Sequence, residues 1–316
     1  MSADPFSDIL KFTRAESLAT GGFSAGGPWA IAFPPPSSIK FFAVVKGGCW
    51  VTIEGEPEPV WFGTGDVGLI TAKRGLVLAS DLSLPPLDAM AVFSGSGKTV
   101  AMLGDGQDFA HIGGHVLLDP ASGRLLADVL PAWIHVSAES PQATSFRWLL
   151  AELVAERRAD LPGNQLAAAQ LSQLLFIQIL RAHLQTSGPM PAGWLRAIGD
   201  PRIAPAMRLM HADPSRSWSL DELAEACAMS RTTFANRFRD VAGSTPLAYL
   251  SGWRMHLATR ALREGKKPVA VLAQELGYAS ESAFSTAFKR AVGESPRSYR
   301  LGVRAHEEAT ADATTD

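Results

Sequence analysis

The strongest constraint on this chain is a pattern written twice in its last third. Leu223 and Ala224 recur as Leu272 and Ala273 at a spacing of 49; Phe234, Phe238, Gly243, Pro246 and Tyr249 recur as Phe284, Phe288, Gly293, Pro296 and Tyr299 at a spacing of 50. Seven matched positions define an internal repeat of two small units, the second with one extra residue in its turn. Each unit predicts a short helix, a tight turn and a second helix: 220–228, 229–230 and 231–241, then 269–276, 277–280 and 281–291, with Gly243 and Gly293 as stops. Two short helices about such a turn form a helix-turn-helix, whose second helix enters the major groove of duplex DNA.

The repeat also predicts which side chains meet the groove. Phe234 and Phe238 lie one turn apart and face the core, which turns Thr232, Asn236 and Arg239 outward with Ala235 on the flank. By the same spacing Phe284 and Phe288 face inward, and Ser282, Thr286 and Lys289 face outward with Ser285 on the flank. Arg231 opens the first of these helices, Glu281 opens the second, and Arg290 lies beside Lys289. Asn pairs bidentately with adenine, Ser and Thr with several base edges, and Lys or Arg with guanine or phosphate. A solvated helix face is the competing reading of any one of these residues, and it is weaker for two matching faces. Residues 246–264 predict one long helix, with Leu247, Leu250, Trp253, Leu257, Ala261 and Leu262 on its buried side. As a rigid spacer it would set the two reading helices on successive major-groove faces, about 34 Å apart.

Charge separates the chain into two parts. Residues 201–304 carry 16 Lys/Arg against 9 Asp/Glu, whereas residues 1–200 carry 13 against 18. A basic C-terminal part beside an acidic N-terminal one predicts a polyanion partner for the former alone. With 47% hydrophobic and 19% charged residues, wholesale disorder is excluded. Cys49 and Cys227, far apart in sequence, make neither a disulfide framework nor a four-thiolate zinc site, so a reducing cytoplasm is expected. No basic-then-apolar leader opens the sequence, and no apolar run approaches the roughly 20 residues of a membrane span, so no membrane partner is expected.

Residues 1–137 read as β-rich. Short apolar segments at 29–33, 39–45, 49–53, 60–62, 67–70 and 76–78 alternate with Gly, Pro and Asp turn material, which predicts a sandwich or small barrel enclosing an apolar container. Phe42, Val44, Trp50 and Trp61 are its candidate effector-lining residues. The period then changes: Phe146, Leu149, Leu150, Leu153 and Val154 predict one helix, and residues 165–184 a second, bearing Leu166, Leu171, Leu174, Leu175, Ile177 and Leu184. This hairpin must cover its stripe either with a second subunit or within its own chain. Asp200 and Pro201 predict a helix start, as capping residue and first helical position, for a helix ending near His211.

Residues 218–300 resemble the AraC/XylS family of transcription regulators. The family's marks stand here as Leu-Ala-Glu-Ala-Cys-Ala-Met-Ser at 223–230, Arg254 with Leu257 and Ala258, Leu276-Gly277-Tyr278, Phe284 through Arg290, and Gly293 through Arg300 with Pro296 and Tyr299. The resemblance places base contacts on Thr232, Ala235, Asn236, Ser282, Ser285 and Thr286, the faces derived above. Residues 40–50 and 65–67 resemble a cupin-type sensor domain, although the His-x-His pair of metal-binding cupins is absent, so no metal or other cofactor is expected. The resemblances together imply an α+β chain: a cupin-like β-barrel with a helical hairpin (1–185), a linker (186–199), an all-α domain with two helix-turn-helix motifs joined by a long helix (200–304), and a disordered tail (305–316). The implied protein is not an enzyme. It is a homodimeric, cytoplasmic regulator, an activator rather than a repressor, with double-stranded DNA, a small-molecule effector and RNA polymerase as partners.

Three other readings stand beside this one. Cys49, between Gly48 and Trp50, would serve a redox- or electrophile-sensing regulator if its thiolate were favoured. A cupin enzyme with an accessory DNA-binding domain would need a metal, and alkylation repair would need a cluster of activated cysteines. His111 and His115 have the spacing of a helical zinc pair, but Gly113 and Gly114 break a helix and no third ligand is evident, so loop or satisfied core histidines are expected.

Overall fold

The computed structural model describes residues 4–94, 100–159, 161–185, 190–265 and 267–303. The expected tail and residues 186–189 of the expected linker lie outside them. The chain divides into two compact units: Thr13–Pro191, and Ala192–Asp316 together with Met1–Phe12. The opening helix α1 (Pro5–Phe12) therefore belongs with the C-terminal unit, whereas sequence composition grouped it with the β-rich part.

In the unit Thr13–Pro191, the described strands are β1 (Glu16–Ala25), β2 (Ala30–Phe33), β3 (Ile39–Lys46), β4 (Gly48–Ile53), β5 (Val60–Gly63), β6 (Val67–Ile70), β7 (Leu76–Ala79), β8 (Leu87–Asp88), β9 (Val100–Leu103), β10 (Phe109–Leu117) and β11 (Trp133–Val136). Short helices α2 (Ala89–Ser94) and α3 (Arg124–Ala127) interrupt them. The strands form two sheets, ordered β11-β6-β3-β10-β1-β9 and β5-β4-β7-β2-β8, so the expected barrel is two hydrogen-bonded sheets rather than one closed ring. Strand alternation fills the space between them: Phe23, Phe42, Val44 and Phe109 from one sheet meet Ile31, Cys49, Val51, Phe62 and Leu78 from the other.

Strands β1 and β10 escape a reading by composition because both carry paired glycines. They pair antiparallel from Glu16–Leu117 to Ala25–Phe109, with Gly21 opposite Gly113 across a bulge. A side chain at Gly114 would fall 2.1 Å from the Leu18 carbonyl oxygen, so the glycine marks close strand packing rather than a turn.

The outer face of the six-stranded sheet is covered by α4 (Ala143–Arg158) and α5 (Asn164–Gln185), which pack on each other and on β1, β3 and β11. Hence β3 is apolar on both faces: Phe42 points into the core, and Phe41, equally buried, points the other way. The hairpin's apolar stripe is divided. Leu149, Leu153, Leu175, Phe176, Ile179 and Leu180 are buried within the chain, whereas Trp148, Leu161, Leu166 and Leu174 are exposed.

The other unit is helical: α1, α6 (Trp194–Gly199), α7 (Ala204–Ala212), α8 (Leu220–Ala226), α9 (Arg231–Ala242), α10 (Pro246–Glu264), α11 (Val269–Glu275) and α12 (Glu281–Val292). Asp200 does cap the chain before α7, accepting from the Arg202 and Ile203 backbone N–H groups at 2.9 and 3.2 Å, although regular helix begins only at Ala204. Phe12 of α1 packs edge-on against Trp253 and His256 of α10, at 5.8 and 5.5 Å.

Candidate functional site

Helices α9 and α12 are built alike from their first residue. Ser230 and Ser280 cap them, accepting from the Thr233 and Ala283 backbone N–H groups at 3.3 and 3.1 Å. Gly243 and Gly293 end them in the left-handed region. The repeated aromatic residues form two equivalent cores. Phe234 and Phe238 lie 5.7 Å apart with Tyr249 at 6.0 Å from Phe238; Phe284 and Phe288 lie 5.7 Å apart with Tyr299 at 5.7 Å from Phe288. The repeat is thus a repeat of packing, which is why it is visible in sequence.

With those rings inward, Thr232, Asn236 and Arg239 are exposed on α9, and Ser282, Thr286, Lys289 and Arg290 on α12, with Ala235 and Ser285 half-buried at the flanks. Two expected contacts have local partners. Arg231 pairs with Asp221 at 3.3 Å, and Glu281 with Arg297 at 3.2 Å. Such exposed pairs are worth little in stability. Arg237, on the half-buried side of α9, is held by Asp200 at 2.7 Å and faces away from the reading surface.

A residue quoted only as a family mark proves to join the two units of the repeat. Arg254 of α10 donates through Nε to the Pro214 carbonyl (2.6 Å) and through Nη2 to that of Arg216 (2.9 Å), while its guanidinium lies 5.7 Å from the Tyr278 ring. The loop ahead of the first motif and the turn of the second are thereby tied to one side chain. Its signal in sequence was an arginine on an otherwise apolar stretch of helix.

In the two-sheet unit, the four expected effector residues separate by alternation. Phe42 and Val44 point into the packed core, whereas Trp50 and Trp61 pair on the outer face of the other sheet, 5.3 Å apart. None lines the pocket of about 600 Å³ that lies against β1, β3, β10 and α2, among whose wall residues are Lys40, His111 and His115. His111 and His115 stand on strand β10 rather than in a loop. Four residues apart on an extended strand, they are separated by about 13 Å and do not converge on one ion. Among the described residues, no group of three His, Cys, Asp or Glu side chains has metal-binding geometry. Cys49 is fully enclosed in the core, and burial, then the negative charge of Asp66, pushes its thiol up to about 12, against the thiolate that redox sensing requires. Among the described residues, no helix is long and apolar enough to cross a membrane.

Comparison with known proteins agrees with this architecture. The family model described as Cupin matches residues 4–185, and that described as Helix-turn-helix domain matches residues 223–302. A putative AraC-like transcription regulator of Streptomyces antibioticus is 39% identical over 94% of this chain and 98% of its own length. The HTH-type transcriptional regulator AlkR of Acinetobacter baylyi is 29% identical over 87% of this chain and 91% of its own. Among solved structures, the DNA-binding domain of AdpA in complex with a target DNA is 34% identical, over 34% of this chain and 96% of that one, with a TM-score of 0.32. Relatives matched along nearly their whole length, and a cupin unit followed by a doubled helix-turn-helix, place this chain in the AraC-like family of DNA-binding transcription regulators.

Proposed function

We propose that the protein is an effector-controlled regulator that reads an asymmetric operator with α9 and α12. A small molecule held by the two-sheet unit shifts the population of DNA-binding states. The observation that carries this reading is the matched pair of outward faces, each small, polar and basic and each backed by the same aromatic core. Asn236 and Thr286 stand at their centres as base readers. Arg239, Lys289 and Arg290 supply guanine or phosphate contacts, and Arg231 does so once it leaves Asp221. The protein acts in the cytoplasm, as an activator through RNA polymerase and without enzymatic chemistry, in line with the regulators it resembles. A homodimer, formed through the apolar residues left exposed on the α4–α5 hairpin, fits the same reading.

The test is selection of bound sequences from a randomised DNA pool by the full chain and by the Asn236→Ala and Thr286→Ala variants. Each variant is expected to lose preference at base positions on one side of the site only. Affinity should also fall steeply with salt, with a slope that shrinks by about one on removal of Lys289. Unchanged sequence preference in both variants would overturn the assignment of the reading faces.

A further inference from the structure

The pocket of the two-sheet unit has about 600 Å³ and walls that include Phe33, Pro35, Met90 and Phe93. That volume suits a small organic molecule. Thr20 and Ser37 lie in the wall as well, and its lysine and two histidines come from two neighbouring strands. Lys40 of β3 sits directly across from His115 of β10, and His111 lies four residues along β10 on the same face, beyond Gly113. The His115 Nδ1 atom meets the Ser38 hydroxyl at 3.0 Å. His111 is enclosed by the rings of Phe23, Phe33 and Phe42, and its Nδ1 has no hydrogen-bond partner.

Burial, and then the charge of Lys40, holds His111 down at about 3, so its ring is neutral at physiological pH. An enclosed N–H without an acceptor is costlier than an enclosed lone pair, so we assign the proton to Nε2. That edge of the ring lies beside Gly113, a residue of the pocket wall, where a Cβ would come within 3.4 Å of Nε2. The glycine leaves the N–H edge open to the pocket.

Lys40 is the cation of the site. Its ammonium lies 4.5 Å from the centre of the Phe33 ring, and burial lowers its proton affinity. Among the described residues, no Asp or Glu lines this wall and no carboxylate forms an ion pair with Lys40. A half-desolvated ammonium without a counter-ion is a deficit that a ligand can fill.

We infer that this pocket is the effector site and that its ligand is a monoanionic carboxylate with a compact apolar body. Lys40 Nζ and His111 Nε2 donate to the carboxylate, and Phe33, Met90 and Phe93 enclose the body. One cation and one neutral donor match a single negative charge. A phosphate dianion would leave a second charge uncompensated against apolar walls. The regulatory meaning of this assignment rests on the effector-controlled reading above, whereas the pocket chemistry is testable without it.

The experiment is calorimetric titration of the full chain with phenylacetate, hexanoate, the two corresponding amides and phenyl phosphate. At least one carboxylate should bind about tenfold or more tightly than its amide and than the phosphate. Lys40→Met should remove that preference, and Lys40→Arg should retain most of it. If Lys40→Met does not fold, as judged by circular dichroism, the acid-to-amide ratio of the wild type and of His111→Phe decides, with a lower ratio expected in the variant. Equal affinity for acid and amide, tighter binding of the phosphate, or no binding by any probe overturns the inference. Affinity for the selected DNA, measured on the same samples, separates the two claims. Carboxylate binding that leaves DNA affinity unchanged upholds the pocket and overturns its role as effector site. A DNA response to a neutral molecule, with no carboxylate bound, overturns the ligand class and upholds effector control.

Discussion

Ala228 and Gly277 occupy the same left-handed position in the turns of the two helix-turn-helix motifs, with φ of 52° and 77°. The next residue in each turn reaches back in the same way, Met229 N–H to the Ala224 carbonyl at 3.0 Å and Tyr278 N–H to that of Ala273 at 2.9 Å. One turn tolerates a methyl group at this position and the other does not. A Cβ on Gly277 would fall 1.9 Å from the carbonyl oxygen of Ser215, a backbone atom. Gly277→Ala should therefore cost well beyond the roughly 1 kcal/mol of left-handed strain, about 3 kcal/mol in all. Ala228→Gly, which relieves strain but frees the unfolded chain, should fall within about 1 kcal/mol of wild type. Urea denaturation of both variants gives the comparison.

Arg254 holds the carbonyls of the loop that Gly277 touches. Lysine keeps the charge but not the fork that reaches Pro214 and Arg216 together. Arg254→Lys should destabilise by about 1–2 kcal/mol. It should also blur sequence preference on both halves of the operator, because the motifs lose their common anchor. DNA selection with this variant, compared with Asn236→Ala, distinguishes loss of an anchor from loss of a single reading face.

The pH dependence of stability has a defined sign at His211. Its ring is stacked on Trp253 at 4.3 Å, with Nδ1 at 3.3 Å from the Asp8 carboxylate and Nε2 at 2.8 Å from the Tyr249 hydroxyl. Burial, opposed only in part by Asp8, lowers it to about 4. A histidine in the unfolded chain titrates near 6.5, so the unfolded state takes the proton first. The contribution is fully present above about pH 6.5 and is lost as pH falls toward 4. Between about pH 7 and 4.5 the wild type should lose roughly 2 kcal/mol more than His211→Gln, read from thermal melts. His111 shares this sign in the other unit, and the comparison with the variant isolates His211.

Cys49 should behave as a packing residue. Iodoacetamide labelling of the native protein, mapped by peptide mass, should leave it unmodified while the denatured chain reacts. Cys49→Ser places a hydroxyl in the core without a partner and should cost about 1–3 kcal/mol. Rapid labelling of native Cys49 would restore the redox reading.

The helical unit was the more legible because its signals are short-range. Ser230 and Ser280 caps, Gly243 and Gly293 stops and the Phe234–Phe238 and Phe284–Phe288 spacing each act within a turn or two, and α10 runs from Pro246 to Glu264 as expected, although Leu247, expected on its buried side, is exposed. In the β unit the short apolar segments were legible and became β2 to β7, whether continuously apolar as in β3 or alternating as in β4. Strands β1 and β10 were missed because glycines demanded by close strand pairing look like turn residues when their partner is out of view. For the same reason Trp50 and Trp61 were expected in the container: alternation gives two faces, and only the opposing sheet decides which is inside.

The sequence by itself determined that this chain carries two helix-turn-helix units and which side chains of their second helices point outward, because helical period and capping are local properties of neighbouring residues. Tertiary structure alone decided that α1 packs beside His211, that Arg254 ties the loop ahead of the first motif to the turn of the second, and that Lys40 and His111 share a pocket wall. Each of these depends on contacts between residues far apart in sequence, and only burial of both partners makes such a contact favourable.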